Sequence, residues 1–102
     1  MNRTVIWSPA SEEEYAEILI YIEDHFGLDA ALKFLDKTDS VIKKLSLLPS
    51  MFPASLKRKD IRKAVITKHI SLFYRFNNLE VQLLHFWDNR QNPLKIKEIF
   101  PS

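Results

Sequence analysis

The sequence predicts an α+β fold in the order β-α-α-β-β-β. An N-terminal strand leads into an antiparallel helical hairpin, which packs on one face of a mainly antiparallel four-stranded sheet. Three observations carry this reading. Residues 61–93 hold three short runs rich in Ile, Val, Leu, Phe, Tyr and Trp, separated by turn-sized gaps, the pattern of a half-buried meander. Residues 9–48 carry two apolar stripes at helical spacing. The only glycine, Gly27, sits between those stripes, where a helix terminus favours a residue free to take positive φ.

Taken in order, residues 3–7 (RTVIW) are β-branched and aromatic and predict a short strand. Ser8 is the expected cap of the first helix, with Pro9 at the first helical position, where a missing N–H costs nothing. Ser11 and Glu14 form an alternative capping box one turn later. Glu12, Glu13, Glu14 and Glu17 fall where the helix dipole favours negative charge. Tyr15, Ile18, Leu19 and Ile22 make one stripe, and the helix is expected to end near His25. That position favours the protonated imidazole and assigns His25 a structural role. Asp29 is the expected cap of a second helix reaching Pro49, with Ala31, Leu35, Thr38, Ile42 and Leu45 as its stripe, flanked by Leu32, Phe34, Val41 and Leu48. A short link between two such helices predicts a helical hairpin, both members lying on the sheet.

Residues 48–60 are the one long connection. Pro49 and Pro53 are expected to prevent regular structure, with Met51 and Phe52 tucked onto the core. In the meander, Ile70, Leu72, Tyr74 and Phe76 alternate on one face and Ser71, Phe73 and Arg75 on the other. Asn77 and Asn78 suit a hairpin turn with positive φ. In the last strand, Leu79, Val81, Leu83, His85 and Trp87 share one face, and Glu80, Gln82, Leu84, Phe86 and Asp88 the other. Residues 88–92 read as a polar turn, Pro93 blocks a further central strand, and residues 94–100 as a short helix or an extended tail.

Composition bounds the chemistry. The chain has 102 residues, enough for one core, so residues 1–102 are expected to be a single domain with 93–102 as a tail. Absence of cysteine excludes disulfides and thiolate metal sites. No apolar run has membrane-spanning length and no signal-peptide pattern is present, so the expected location is the cytoplasm, with no membrane partner. Net charge is only +2, but residues 1–30 carry one base against seven acids. Residues 56–76 carry Lys57, Arg58, Lys59, Arg62, Lys63, Lys68 and Arg75 against Asp60 alone. Such a basic segment can present a concentrated positive field to an anionic partner.

Within this order of elements, WSPASEEEYAEILIYI, LSLLPSMFP, IRKAVITKHISLFYRF and LLHFWDNRQNP together resemble the RelE/ParE superfamily of toxins from type II toxin–antitoxin modules. The resemblance spans roughly residues 3–93. The last two pieces look closer to the ParE branch. It implies a cytoplasmic, growth-inhibiting toxin neutralised by a cognate antitoxin in a hetero-oligomer, with no cofactor and no metal. RelE-type members cleave mRNA on the ribosome by 2′-OH attack, which needs a base, a phosphate stabiliser and often an acid. Of the RelE catalytic positions, Arg62 and Arg90 match one basic position each, whereas Ala64 and Ser71 stand at two other basic positions and Ile96 near the C-terminal aromatic position. If the chain were a metal-independent ribonuclease, its candidate catalytic residues would be Arg62, His69, His85 and Arg90. The two histidines lie in different strands with no carboxylate pair, which is not a metal spacing. His85 itself reads as a core residue, or, on the open face, as converging with Arg62, Arg75 and Arg90 on a phosphate.

ParE-type members instead poison DNA gyrase and need a binding surface, for which Lys57, Arg58, Lys59, Arg62, Lys63, Lys68, Arg75 and Arg90 are the candidates, toward target or antitoxin. The departures from the RelE pattern favour this mode, with DNA gyrase the expected target ahead of ribosome-bound mRNA. An inactive family member kept as an interaction module is the third reading. Extra exposed Leu or Phe along the helical hairpin would mark the antitoxin surface there.

Overall fold

Ser8 and Gly27 delimit the helical half of the molecule. In the computed structural model, which describes residues 2–54 and 58–90, strand β1 (Thr4–Trp7) turns at Ser8 into helix α1 (Pro9–Phe26). The Ser8 hydroxyl accepts the Ser11 N–H at 3.0 Å, with Pro9 opening the helix. Ser11 is therefore not the cap: it is buried, and its hydroxyl donates to the Ser8 carbonyl at 2.8 Å. Gly27 ends α1 at φ +93° and is also the residue before α2 (Leu28–Leu47), so one glycine forms the whole link. Asp29 does not cap α2, because the helix already begins at Leu28; it lies in the first turn, where the dipole still favours it. A 3-10 turn follows at Pro49–Met51. The connection is thus more regular than its prolines suggest, and Ala54 also bridges Arg62. Phe52 packs on the core, whereas Met51 stays exposed.

The sheet order is β1-β4-β3-β2, with β2 (Arg62–Val65), β3 (Ile70–Phe76) and β4 (Glu80–Asp88) antiparallel in sequence. β1 joins the outer edge of β4 in parallel, Thr4 opposite Glu80. The β3–β4 turn forms without positive φ at any described non-glycine residue. Asn77 instead folds its side-chain oxygen back to accept the Leu79 and Glu80 N–H groups at 2.8 and 2.9 Å, an Asx turn that needs no left-handed backbone. Leu79 belongs to that turn and is exposed, not strand core.

Both helices cover one sheet face. Phe34 and Leu45 meet Ala64, Ile66, Ile70, Leu72, Tyr74, Val81, Leu83 and Phe86 there, joined by Tyr15, Ile18, Leu19 and Ile22 of α1. The expected alternation holds in β3 but breaks in β4. Phe73 pairs with His85 and Tyr74 with Leu83, so Leu84 is an extra residue, a bulge that shifts every later side chain to the other face. Phe86 consequently enters the core, and Trp87 joins Ile61, Phe73 and Leu84 on the open face. The cause lies in the edge. β1 ends at Trp7 opposite Leu83, and beyond it α1 supplies β4's missing partners: the Ser8 hydroxyl donates to the Leu84 carbonyl at 2.8 Å, and the Glu14 carboxylate accepts the Phe86 N–H at 3.0 Å.

Candidate functional site

Arg62 lies on the face that the hairpin covers. It is opposite Tyr74, and its guanidinium donates to the Phe52 and Ser50 carbonyls at 2.5 and 3.3 Å while resting 5.6 Å over the Phe76 ring. The Tyr74 hydroxyl donates to the Pro49 carbonyl at 2.5 Å. Together they pin the proline-containing loop. Burial pushes the Tyr74 phenol up to about 12, because the core cannot solvate a phenolate.

The open face starts one residue on. Lys63 pairs with Phe73, Phe73 with His85, and the Lys63 ammonium sits 6.0 Å from the Phe73 ring centre. Arg75 donates to the Gln82 side chain at 2.6 Å, and Gln82 to Glu80 at 2.6 Å. At one end of this face Arg58 grips Asp60 with two bonds of 3.2 and 3.1 Å, which holds the Asp60 carboxyl below the usual range. Lys59 and Lys68 are exposed; Lys57 lies outside the described residues, as do Ile96 and the tail 93–102.

His85 is neither core nor part of a phosphate cluster. It is half-buried at the β4 edge, its Nδ1 3.1 Å from the Glu14 carboxylate. His69 stands in the turn before β3, not in the strand, with its N–H donating to the Thr67 hydroxyl and its carbonyl accepting the Asn89 N–H at 2.7 Å. Arg90 is held by Asp88 through two guanidinium bonds of 3.0 and 2.7 Å and a backbone bond of 2.9 Å. The hydrogen bond from Arg90 lowers the Asp88 carboxyl, and that carboxylate in turn raises the arginine. Arg62, Arg75, His85 and Arg90 each therefore have their own nearby partner, and Arg62 lies on the opposite face from Arg75. The sheet does not bring the expected four together.

A groove of about 1000 Å³ opens between the hairpin and the end of the sheet. Its floor is apolar: Ile18, Ile22, Phe34, Ile70 and Phe86. Lys33, Lys37, His69 and Arg90 stand on its rim, with Glu14, Glu17 and Asp88 between them. At the hairpin tip Tyr21, Phe26, Leu28 and Leu32 are exposed, as is Ile20. His25 stacks on the Tyr21 ring at 4.0 Å and reaches the Tyr21 carbonyl at 2.9 Å, a local structural role. Glu14, Lys33, Lys37 and Asp88 were not singled out by the sequence as site residues. Lys33 and Lys37 are four apart on one helix face, a signal present in the sequence; Glu14 and His85 are 71 residues apart, and no local pattern links them. Among the described residues no group of three or more His, Cys, Asp or Glu could hold a metal, and no helix is long and apolar enough to cross a membrane.

A parallel N-terminal strand, a helical hairpin and an antiparallel meander make the fold that RelE/ParE superfamily toxins share. The model of one family, the ParE toxin of the type II toxin–antitoxin system parDE, matches residues 5–93, and the chain belongs to that family. No curated protein matches it in sequence. Among solved structures it is similar to a chain of the chromosomal ParDE toxin–antitoxin system from P. aeruginosa, at TM-score 0.70 and 16% identity over 84% of this chain and 95% of that one. The YoeB/ParE toxin from Agrobacterium tumefaciens follows at TM-score 0.63 and 12% identity, covering 84% and 98%. A chain of the E. coli DinJ–YafQ toxin–antitoxin complex aligns at TM-score 0.55 and 13% identity, covering 86% and 93%.

Proposed function

We propose that this toxin arrests growth in the ParE manner, by binding DNA gyrase and stabilising its cleaved complex with DNA, and that its antitoxin silences it from the groove beside the helical hairpin. One observation carries the choice of mode. Of the groups that metal-free RNA cleavage would draw on, Arg62 is bound to loop carbonyls under the hairpin, His85 to Glu14, and Arg90 to Asp88. A general base or phosphate stabiliser has to converge with its fellows on one reacting group, whereas a binding surface does not. Membership of the ParE family supports the same reading. The exposed Phe26, Leu28 and Leu32 beside an apolar groove suit an amphipathic antitoxin helix. Toxin and antitoxin would then form the hetero-oligomer. Arg58, Lys59, Lys63, Lys68 and Arg75 remain the described cations offered to the target.

The test is a supercoiling assay with purified toxin on relaxed plasmid, scored also for linear DNA. Loss of supercoiling with trapped linear DNA, both reversed by antitoxin, is expected. Normal supercoiling at micromolar toxin would overturn the gyrase reading. Because His69 and Arg90 share the groove rim, the competing activity, mRNA cleavage on translating ribosomes, is then measured with Arg90→Ala as its control.

A further inference from the structure

The two edges of the sheet are treated differently. At β2, Lys63 donates its N–H to the Pro53 carbonyl at 3.4 Å and Ala54 bridges Arg62, so the loop covers that edge. At β1, Thr4 and Ser8 donate to the Leu79 and Leu83 carbonyls, both at 3.0 Å. In a parallel ladder this turns Thr4, Ile6 and Ser8 toward β4 and the backbone groups of Val5 and Trp7 outward. Among the described residues nothing bonds those outward groups. Large apolar side chains surround the same edge: Ile6 is 43% exposed, Leu47 60%, Leu48 58% and Leu79 78%. An unpaired edge with an apolar border is a template for another strand.

We propose that a second copy of this chain occupies it, with β1 pairing antiparallel to β1 about a two-fold axis at Ile6. Val5 of one copy then exchanges both backbone hydrogen bonds with Trp7 of the other, twice over. Ile6 meets Ile6 in the close, non-hydrogen-bonded position. Charge selects this occupant. One end of β1 is basic: Arg3 donates its N–H to the Ser46 carbonyl at 2.9 Å, which brings the α2 terminus with exposed Lys43 and Lys44 alongside. The other end is acidic, since α1 starts there with exposed Glu12 and Glu13. Antiparallel pairing sets the basic end of each copy against the acidic end of the other. A parallel arrangement would set both ends against their own charge, and a uniformly acidic peptide would do so at the acidic end. The proposal is independent of the target reading.

The chain has no cysteine, so a single Ile6→Cys introduces one thiol beside the axis. Mild oxidation is expected to give a disulfide-linked dimer with Ile6→Cys and none with Val65→Cys, which is 53% exposed on β2. Light scattering of the purified toxin at about 100 µM, a range suited to a small interface, is expected to read toward twice 12.0 kDa. Ile6→Lys, with an unchanged circular dichroism spectrum, is expected to return it to the monomer mass. A wild-type monomer at that concentration, or equal cross-linking of the two cysteine variants, overturns the proposal. So does an Ile6→Lys variant that stays dimeric but loses antitoxin binding, which would assign the edge to the antitoxin.

Discussion

Arg62 and Lys63 are adjacent, equally basic in the sequence, and on opposite faces of the sheet. Lys63 looks onto the open face; Arg62 holds two main-chain carbonyls on the far side, those of Ser50 and Phe52, with Tyr74 beside it on the Pro49 carbonyl. Charge counting cannot separate them, because strand alternation decides the face only once the pairing register is known. Tyr74 gives the more direct test. Tyr74→Phe removes one buried hydrogen bond to the Pro49 carbonyl and is expected to cost about 1 kcal/mol in urea unfolding at pH 7. The phenol also makes stability depend on pH. Its native pKa, near 12, lies above the ordinary value of 10.0, so its contribution is complete below pH 10 and lost as pH rises toward 12, where the unfolded chain ionises first. The wild type is therefore expected to lose more stability than Tyr74→Phe between those limits. Equal alkaline losses would mean that Tyr74 does not titrate this way. Asp60 and Asp88 act in the other direction: their lowered values favour the fold above the ordinary carboxylate range, and this is lost in acid.

Most elements were legible, and the reasons are local. Ser8-Pro9 announces a helix start, the lone glycine a helix end, and the β-branched runs their strands. The bulge in β4 was not legible, because its cause sits in α1. Alternation read along 79–88 placed His85 and Trp87 with Leu83; the extra residue at Leu84 moved Trp87 and Phe86 to exchanged faces. Ser8 and Glu14 hold that irregularity by bonding to Leu84 and Phe86. Ser8→Ala removes a helix cap and a strand-edge bond together and is expected to cost about 1–2 kcal/mol. Glu14→Ala is expected to speed hydrogen exchange at the Phe86 amide while leaving the Tyr74 amide protected. Uniform acceleration at both positions would show global destabilisation instead.

At the scale of the molecule, the helical hairpin separates two surfaces. The open sheet face carries Lys63, Arg75 and the Arg58–Asp60 pair, and the groove beside the hairpin carries Lys33, Lys37, His69 and Arg90. The sequence showed the first as a basic segment but not the second, whose cations come from separated parts of the chain and surround an apolar floor. The groove reading predicts that Lys33→Glu with Lys37→Glu weakens antitoxin binding at least tenfold, given the ~0–1 kcal/mol typical of each exposed pair plus the new repulsion. Calorimetric titration checks this, and added salt is expected to narrow the difference. Unchanged affinity would move the antitoxin elsewhere.

The parallel pairing of β1 with β4 also bears on how the chain is made. Thr4 leaves the ribosome long before its partner, Glu80. The hairpin of α1 and α2 depends on neighbouring residues and can form as it emerges. β1 must wait unpaired until β4 has been synthesised, as distant contacts do when translation is slower than local folding. Neither the open sheet face nor the β4 wall of the groove exists until then. A nascent chain halted before β4 has helices but neither surface complete, and an antitoxin reading the groove would have nothing complete to grip before β4 is in place.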